Sequence, residues 1–121
     1  MRINKTAPKM TSPNGRVMSP VAVARQNLSK GRPVTALHTG RGGVDLLKDP
    51  SALARCKVGE FPGSKTRGGQ LTNTVYSVPL PGPNDKPQQH VIVGVAVQGP
   101  DDRVSYQYFD LGVMAASRPN A

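Results

Sequence analysis

The chain has 121 residues, including 13 glycines, 12 prolines, two phenylalanines, three tyrosines and no tryptophan. Glycine and proline together far exceed their usual share of roughly 12%, so the composition argues against a large self-sufficient core. Lys and Arg number 16 against seven acids, a net charge of +9 that indicates a polyanion or an acidic protein surface as partner. The single cysteine excludes an intramolecular disulfide, and we expect neither a secretion signal nor a membrane segment, because no apolar run is long enough.

The charge is unevenly distributed along the chain. Residues 1–70 hold 13 basic and three acidic side chains, whereas residues 71–121 hold three basic and four acidic ones. We therefore divide the chain into a basic, Pro/Gly-rich arm over 1–70 and a near-neutral part over 71–121.

The basic part begins with a stretch that favours extended structure. Residues 1–18 contain two prolines and an Asn14-Gly15 turn signal, which together predict an extended arm. Ser19 followed by Pro20 is typical of a helix start, and Gly31 of a helix end. The sequence therefore predicts one short helix over about 19–30.

A second helix is predicted over about 49–58, because a similar pattern returns there. "SPVAVAR" at 19–25 and "DPSALAR" at 49–55 share a capping residue, a proline, two alanines and an arginine at the same offsets. Each copy is followed by a glycine, a proline and an Arg-Gly-Gly triplet, at 41–43 and 67–69. The similarity is either a degenerate duplication or chance in a sequence rich in Ala, Gly and Pro.

The two Arg-Gly-Gly triplets have three interpretations: an RNA-binding segment, a backbone nest for an anion, or a turn. RNA-binding segments of this type use many repeats with interleaved aromatics, so the composition favours a turn that presents one arginine. The neighbouring "GEFPGSKT" at 59–66 resembles a phosphate-binding loop but has Ser64 at the second glycine position. No strand leads in and no helix can follow, which argues against nucleotide hydrolysis.

The second half has the pattern of strands. "LTNTVYSVPL" (71–80), "HVIVGVAVQ" (90–98) and "RVSYQYFDLGV" (103–113) are separated by the turn signals "PGPNDKP" and "GPDD". We predict a mainly β fold: a small antiparallel three-stranded meander over 71–121, preceded by an extended basic arm with one or two short helices and long irregular segments.

Both faces of the middle strand are apolar, so we expect both to be covered. Three strands are near the minimum for independent stability, and the cover could come from the basic half, from a second copy or from another protein. The candidate subunit-packing face consists of the alternating valines and the tyrosines of the last strand: Val91, Val93, Val95, Val97, Tyr106 and Tyr108.

Dispersed cations are the other candidate contacts. Spaced charges on an extended chain can follow a phosphate backbone without reading its sequence, or they can pair with an acidic protein. The residues selected for this role are Arg2, Lys5, Lys9, Arg16, Arg41, Lys65 and Arg67.

Residues for catalysis are not evident in the sequence. His38 and His90 are isolated, Cys56 has no neighbouring histidine, and no His/Cys group has metal-ligand spacing. We therefore expect a non-enzymatic protein without metal or cofactor.

Two functional hypotheses remain open. The first is a structural subunit of a virus or bacteriophage virion, such as a capsid, decoration or head-completion protein, with other subunits and copies of itself as partners and with sequence-independent contact to the genome. The second is a cytoplasmic ribosomal or ribonucleoprotein component whose basic segment is ordered by RNA.

Overall fold

A computed structural model of the chain describes residues 10–11, 17–39, 43–113 and 115–116. Its helices and strands, in chain order, are β1 (Met10–Thr11), β2 (Val17–Met18), α1 (Pro20–Asn27), β3 (Arg32–Val34), α2 (Pro50–Ala54), β4 (Lys57–Thr66), β5 (Gly69–Pro81), β6 (Pro87–Gln98), β7 (Val104–Val113) and β8 (Ala115–Ala116). Short 3₁₀ turns occupy Leu28–Lys30, Leu46–Lys48 and Pro83–Asp85.

The main sheet is antiparallel and has five strands in the order β3-β7-β6-β5-β4. The mainly β prediction is confirmed, and β5, β6 and β7 are the three predicted strands. The predicted strand number is wrong, because β3 and β4 of the basic half add one strand at each edge. Both contain a proline, Pro33 and Pro62, and an edge strand tolerates the missing N–H that a central strand would not. β1, β2 and β8 form a separate ladder of two-residue strands.

The first predicted helix is confirmed as α1 with its 3₁₀ continuation to Lys30. The second was predicted to reach residue 58, but α2 ends at Ala54 and the chain is extended from Lys57 onward. Val58 packs against the core from β4, so tertiary contact overrides local helix propensity there. The proposed division at residue 70 falls inside β5, which pairs with β4 on one side and β6 on the other.

Each face of the sheet is covered by the chain itself. On one face, the α1 side, Val23 and Ala24 of the helix pack against Val75, Val91 and Val93. On the other, the α2 side, the core is contributed by the segment before β4 and by the sheet: Leu37, Leu46, Leu53, Val78 and Ile92. Alternate residues of β6 thus serve two cores, and the basic half supplies the cover that the middle strand requires.

The two similar sequence stretches form similar structures on opposite faces. Ser19 and Asp49 each cap a helix by accepting a hydrogen bond from the backbone N–H three residues later, both at 3.1 Å. Val23 and Leu53, which occupy matching positions, are both buried. α1 leads to the edge strand β3 and α2 to the opposite edge strand β4, so each copy provides one helix and one edge of the sheet.

Candidate assembly interface

The β4–β5 hairpin extends beyond the rest of the sheet. β5 pairs with β6 only between Thr74 and Pro81, whereas its pairing with β4 continues to the turn at 67–68. Asn73 closes the β5–β6 ladder, because its buried Oδ1 accepts the Ala96 N–H at 3.1 Å. Residues 62–72 therefore form a two-stranded ribbon that is largely exposed.

The second Arg-Gly-Gly triplet lies at the tip of this ribbon. The hydroxyl of Thr66 accepts the Gly68 N–H at 3.2 Å and donates to the Gly69 carbonyl at 2.9 Å. Gly69 has a φ of 129°, a conformation that favours glycine. The turn exposes Arg67, with Lys65 exposed two residues earlier. Residues 59–66 lie in β4, so the resemblance to a phosphate-binding loop has no structural counterpart.

The residues on either side of the first triplet are joined by backbone and side-chain hydrogen bonds. His38 pairs with Asp45, and the Leu46 N–H donates to the Leu37 carbonyl at 2.9 Å. The Asp45 Oδ1 accepts from the Leu37 and Leu47 N–H groups at 2.9 and 3.0 Å, and these backbone bonds, the Leu37 one first, hold the pKa of this carboxyl below its ordinary value. Arg41 itself lies outside the described residues, as do the other selected cations Arg2, Lys5, Lys9 and Arg16.

The valines and tyrosines selected as one packing face lie on opposite sides of the sheet. Val91 and Val93 are fully buried beneath α1, and Val95 packs against the same core; Val97 follows on that side by alternation. Tyr106 and Tyr108 pair with Ala96 and Gly94 and point to the α2 side. The structure therefore brings the two tyrosines together but separates them from the valines.

The tyrosines border a groove on the α2 side. The Tyr76 and Tyr108 rings lie 6.4 Å apart, next to Gly94, where a Cβ would come within 3.0 Å of Tyr108. Burial raises the pKa of both phenols. The groove has a volume of about 560 Å³ and is lined by β3, β7 and Leu47: Pro33, Val34, Thr35, Leu47, Tyr106, Gln107, Tyr108 and Phe109.

The groove adjoins an open stretch of sheet edge. β3 pairs only with Tyr108–Asp110 of β7, so within the described part of the chain the outer side of 104–107 has no strand partner. Val104 and Tyr106 are 46% and 48% exposed. We call Val104–Gln107 the open edge. The opposite edge strand, β4, carries features that discourage strand addition: Pro62, exposed Lys57, Glu60 and Lys65, and two register shifts.

A polar cluster that was not evident in the sequence lies at the other end of β7. The Nδ1 of His90 is 3.0 and 3.1 Å from the two carboxylate oxygens of buried Asp110, and an Arg32 nitrogen is 4.0 Å from the same carboxylate. Asp110 Oδ1 also accepts the Gly112 N–H at 2.7 Å. Twenty residues separate the histidine from the aspartate. Only the register of β6 and β7, in which Asp110 lies opposite Ile92 and diagonal to His90, could have revealed the pair.

This cluster stabilises a β-bulge. Leu111 and Gly112 both lie opposite Val91, and Gly112 has a φ of 91°.

Two further polar side chains have local partners. The Ser77 hydroxyl donates to Gln89 Oε1 at 2.9 Å. The half-buried Cys56 thiol contacts the Ala52 carbonyl at 3.7 Å, and burial raises the pKa of this thiol. These interactions support local structure.

Two other kinds of feature are absent from the part of the chain that the structure describes. No group of three or more His, Cys, Asp or Glu side chains in this part of the chain is placed to hold a metal ion. Among the same residues, no helix has the length and apolarity needed to span a membrane.

Comparisons of the chain with models of known protein families, with curated proteins and with solved structures find no match.

Proposed function

We propose that this chain is a non-enzymatic structural subunit of a large assembly, namely a capsid, decoration or head-completion protein of a virus or bacteriophage virion. The observation that carries the proposal is the open edge, where exposed Val104 and Tyr106 lie beside an apolar groove. An unprotected strand edge is a template for another polypeptide. A protein that works alone in solution would be expected to block it, as β4 is blocked.

The two-stranded ribbon of residues 62–72 is a second, independent observation that supports the same proposal. Its two strands pair with each other beyond the end of the β5–β6 ladder, and its tip presents Lys65 and Arg67. A projecting ribbon can reach a neighbouring subunit or the phosphates of a packaged genome. Acidic side chains and phosphates are both suitable partners for these cations.

An RNA-binding role in a ribosomal or ribonucleoprotein particle is the second candidate, and it rests on the same ribbon cations. The two candidates differ in the dominant contact. A virion subunit depends first on protein–protein pairing, whereas a ribonucleoprotein component depends on phosphate contacts that weaken steeply with salt.

The test is assembly of the purified chain before and after nuclease treatment. We expect regular particles, or binding to a preformed shell, in sedimentation and electron microscopy at both 50 and 500 mM salt, conditions that span the range over which phosphate contacts weaken. Recovery only with RNA, lost after ribonuclease, would contradict the virion proposal and support the second candidate.

A charge-matched pair of variants then locates the nucleic-acid contact. Lys65→Gln with Arg67→Gln removes two cations from the ribbon tip, and Arg25→Gln with Lys30→Gln removes two from α1 and its continuation. If the ribbon contacts phosphate, the first variant retains less nucleic acid than the second. Equal retention by both would show that the ribbon does not bind it.

A further inference from the structure

The open edge has a defined set of backbone groups directed outward. The Ala96 N–H points toward β5, where it meets Asn73. Because N–H and C=O groups alternate in direction along a strand, Val95 and Val97 direct theirs toward β7, where their paired residues are Gln107 and Ser105. The backbone groups of Val104 and Tyr106 therefore point away from β6, toward the open side.

The same alternation agrees with the short strand β3. Pro33 has no N–H and lies opposite Phe109. The backbone groups of Phe109 point toward β6, so β7 does not need a donor from Pro33 at that position. Arg32 and Val34 lie opposite Asp110 and Tyr108. The backbone N–H and C=O groups of these two β7 residues point outward, as do those of Tyr106 and Val104 further along the strand. The open edge thus continues the hydrogen-bonding pattern that β3 begins.

Only one antiparallel register lets a second β7 strand occupy this edge. Two copies related by a two-fold axis perpendicular to the sheet must pair residues that point to the same face. Centring the axis on Tyr106 would place Val104 opposite Tyr108, which already pairs with Val34. Centring it on Val104 would place Tyr106 opposite Asp102, which lies in the turn with a φ of 65°. Centring it on Ser105 avoids both conflicts.

The Ser105 register is also chemically complementary. It places Val104 of each copy opposite Tyr106 of the other, so the two exposed apolar residues form cross-strand aromatic–aliphatic pairs. These are the residues whose backbone groups point outward, so each pair can exchange two hydrogen bonds. Arg103, whose Nε is 3.4 Å from Asp101 Oδ2 in its own turn, then lies opposite uncharged Gln107.

We propose that a second copy of this chain pairs antiparallel with the open edge, with its axis at Ser105, so that two sheets become one continuous sheet. The inference rests on the proposed function, because it names the first contact between subunits. Val104–Gln107 contains no charged residue, so the contact places no like charges directly opposite one another. The net charge of +9 on each copy opposes association at low ionic strength and is screened at high ionic strength.

The experiment is site-specific disulfide formation in a Cys56→Ala background. Ser105→Cys places two thiols at a non-hydrogen-bonded pair, where the Cα atoms are about 4.5 Å apart, within the range for a disulfide. Gln107→Cys is the control on the same strand. Its two copies would lie roughly 14 Å apart, because they are offset by four residues at about 3.4 Å each along neighbouring strands. We expect mild oxidation to give covalent dimers with Ser105→Cys and to leave Gln107→Cys monomeric.

A second pair of variants tests the edge without a crosslink. Tyr106→Lys places two cations at the paired edges and should abolish the dimer in analytical ultracentrifugation. Val113→Lys changes a residue of similar exposure, 44%, beyond the bulge of the same strand and should retain it. The native dimer should become more abundant as salt increases, opposite to a phosphate contact.

The outcomes separate this inference from the proposed function. Particles that form without Ser105→Cys crosslinks would overturn the edge pairing and leave the structural role intact. Crosslinked dimers that never assemble further would support the edge pairing and contradict the structural role. Equal crosslinking by Ser105→Cys and Gln107→Cys, or a monomer at every salt concentration, would overturn the Ser105 register.

Discussion

Individual side chains in this small protein often fix the course of several residues of backbone. Asp45 accepts hydrogen bonds from the backbone N–H groups of Leu37 and Leu47, and so links the residues on the two sides of the first Arg-Gly-Gly triplet. Asn73 and Asp110 likewise use buried oxygens to end a ladder and to support a bulge. The Asn73 oxygen satisfies a buried backbone donor, the Ala96 N–H, that would otherwise lack a partner, at a cost of about 1–3 kcal/mol.

The Asp45 contacts predict a pH dependence of stability. Because its folded-state pKa is lowered from an ordinary 3.8, the stabilisation is present above pH 3.8 and is lost as pH falls through the lowered value. Asp45→Asn should reduce the free energy of unfolding at pH 7 and flatten the acid limb, measured by urea denaturation from pH 2 to 7. Thr39→Val removes a neighbouring side-chain hydrogen bond, from the Thr39 hydroxyl to the Val44 carbonyl. It should shift the plot of unfolding free energy against pH without changing the shape of that plot. An unchanged acid limb in Asp45→Asn would contradict the prediction.

At the scale of elements, the sequence was sufficient to predict the strands and helices that have a regular apolar pattern and recognisable end signals. β6 and α1 were predictable because each has a regular apolar pattern and clear end signals. β4 was not, since "KVGEFPGSKT" contains a proline, two glycines and three charged residues and is a strand only because β5 pairs with it. The open edge was also not predictable, because it exists only where the distant β3 is too short to cover β7.

The contact between α1 and β4 gives a prediction at this scale. A Cβ at Gly59 would collide with Cγ2 of Val21, so the glycine allows the helix to approach the strand closely. Gly59→Ala should cost about 1–3 kcal/mol through overpacking, measured by denaturant unfolding. Val21→Ala should relieve most of that cost in the double variant.

Gly68→Ala is the matched control for this prediction. A Cβ there would meet only Thr66 Oγ1, at 3.9 Å, so the change should stay within about 0.5 kcal/mol of the wild type. If Gly59→Ala costs no more than Gly68→Ala, or if Val21→Ala adds its full cost on top, α1 does not pack on β4 as described.

At the scale of the molecule, the basic half is part of the fold. Its two helices cover the two faces of the sheet, and its strands β3 and β4 form the two edges. The composition suggested that the chain has too little apolar area to form a large core of its own. The chain nevertheless builds two small cores, because the valine-rich β6 contributes alternate residues to both. The short strand β3, however, leaves the open edge Val104–Gln107 uncovered within the described part of the chain.

Separated halves should therefore not fold independently. A fragment of residues 57–121 lacks α1, α2 and β3, and exposes both apolar faces of the sheet. We expect it to aggregate or to lack near-ultraviolet circular dichroism, and to recover a native spectrum when mixed with residues 1–56. A fragment 57–121 that is monomeric and cooperatively folded alone would show that the sheet does not need the basic half.

The pairing of β3 with β7 has a consequence for how the protein is made. Arg32–Val34 cannot pair until Tyr108–Asp110 have been synthesised, and 74 residues separate Val34 from its partner Tyr108. The hairpins β4–β5 and β5–β6 join neighbours in sequence and can form early. The contact between β3 and β7 forms later, because it must close a long loop of chain. Until β6 and β7 have been synthesised, α1 has only part of its final surface to pack against, so the sheet is completed late in folding.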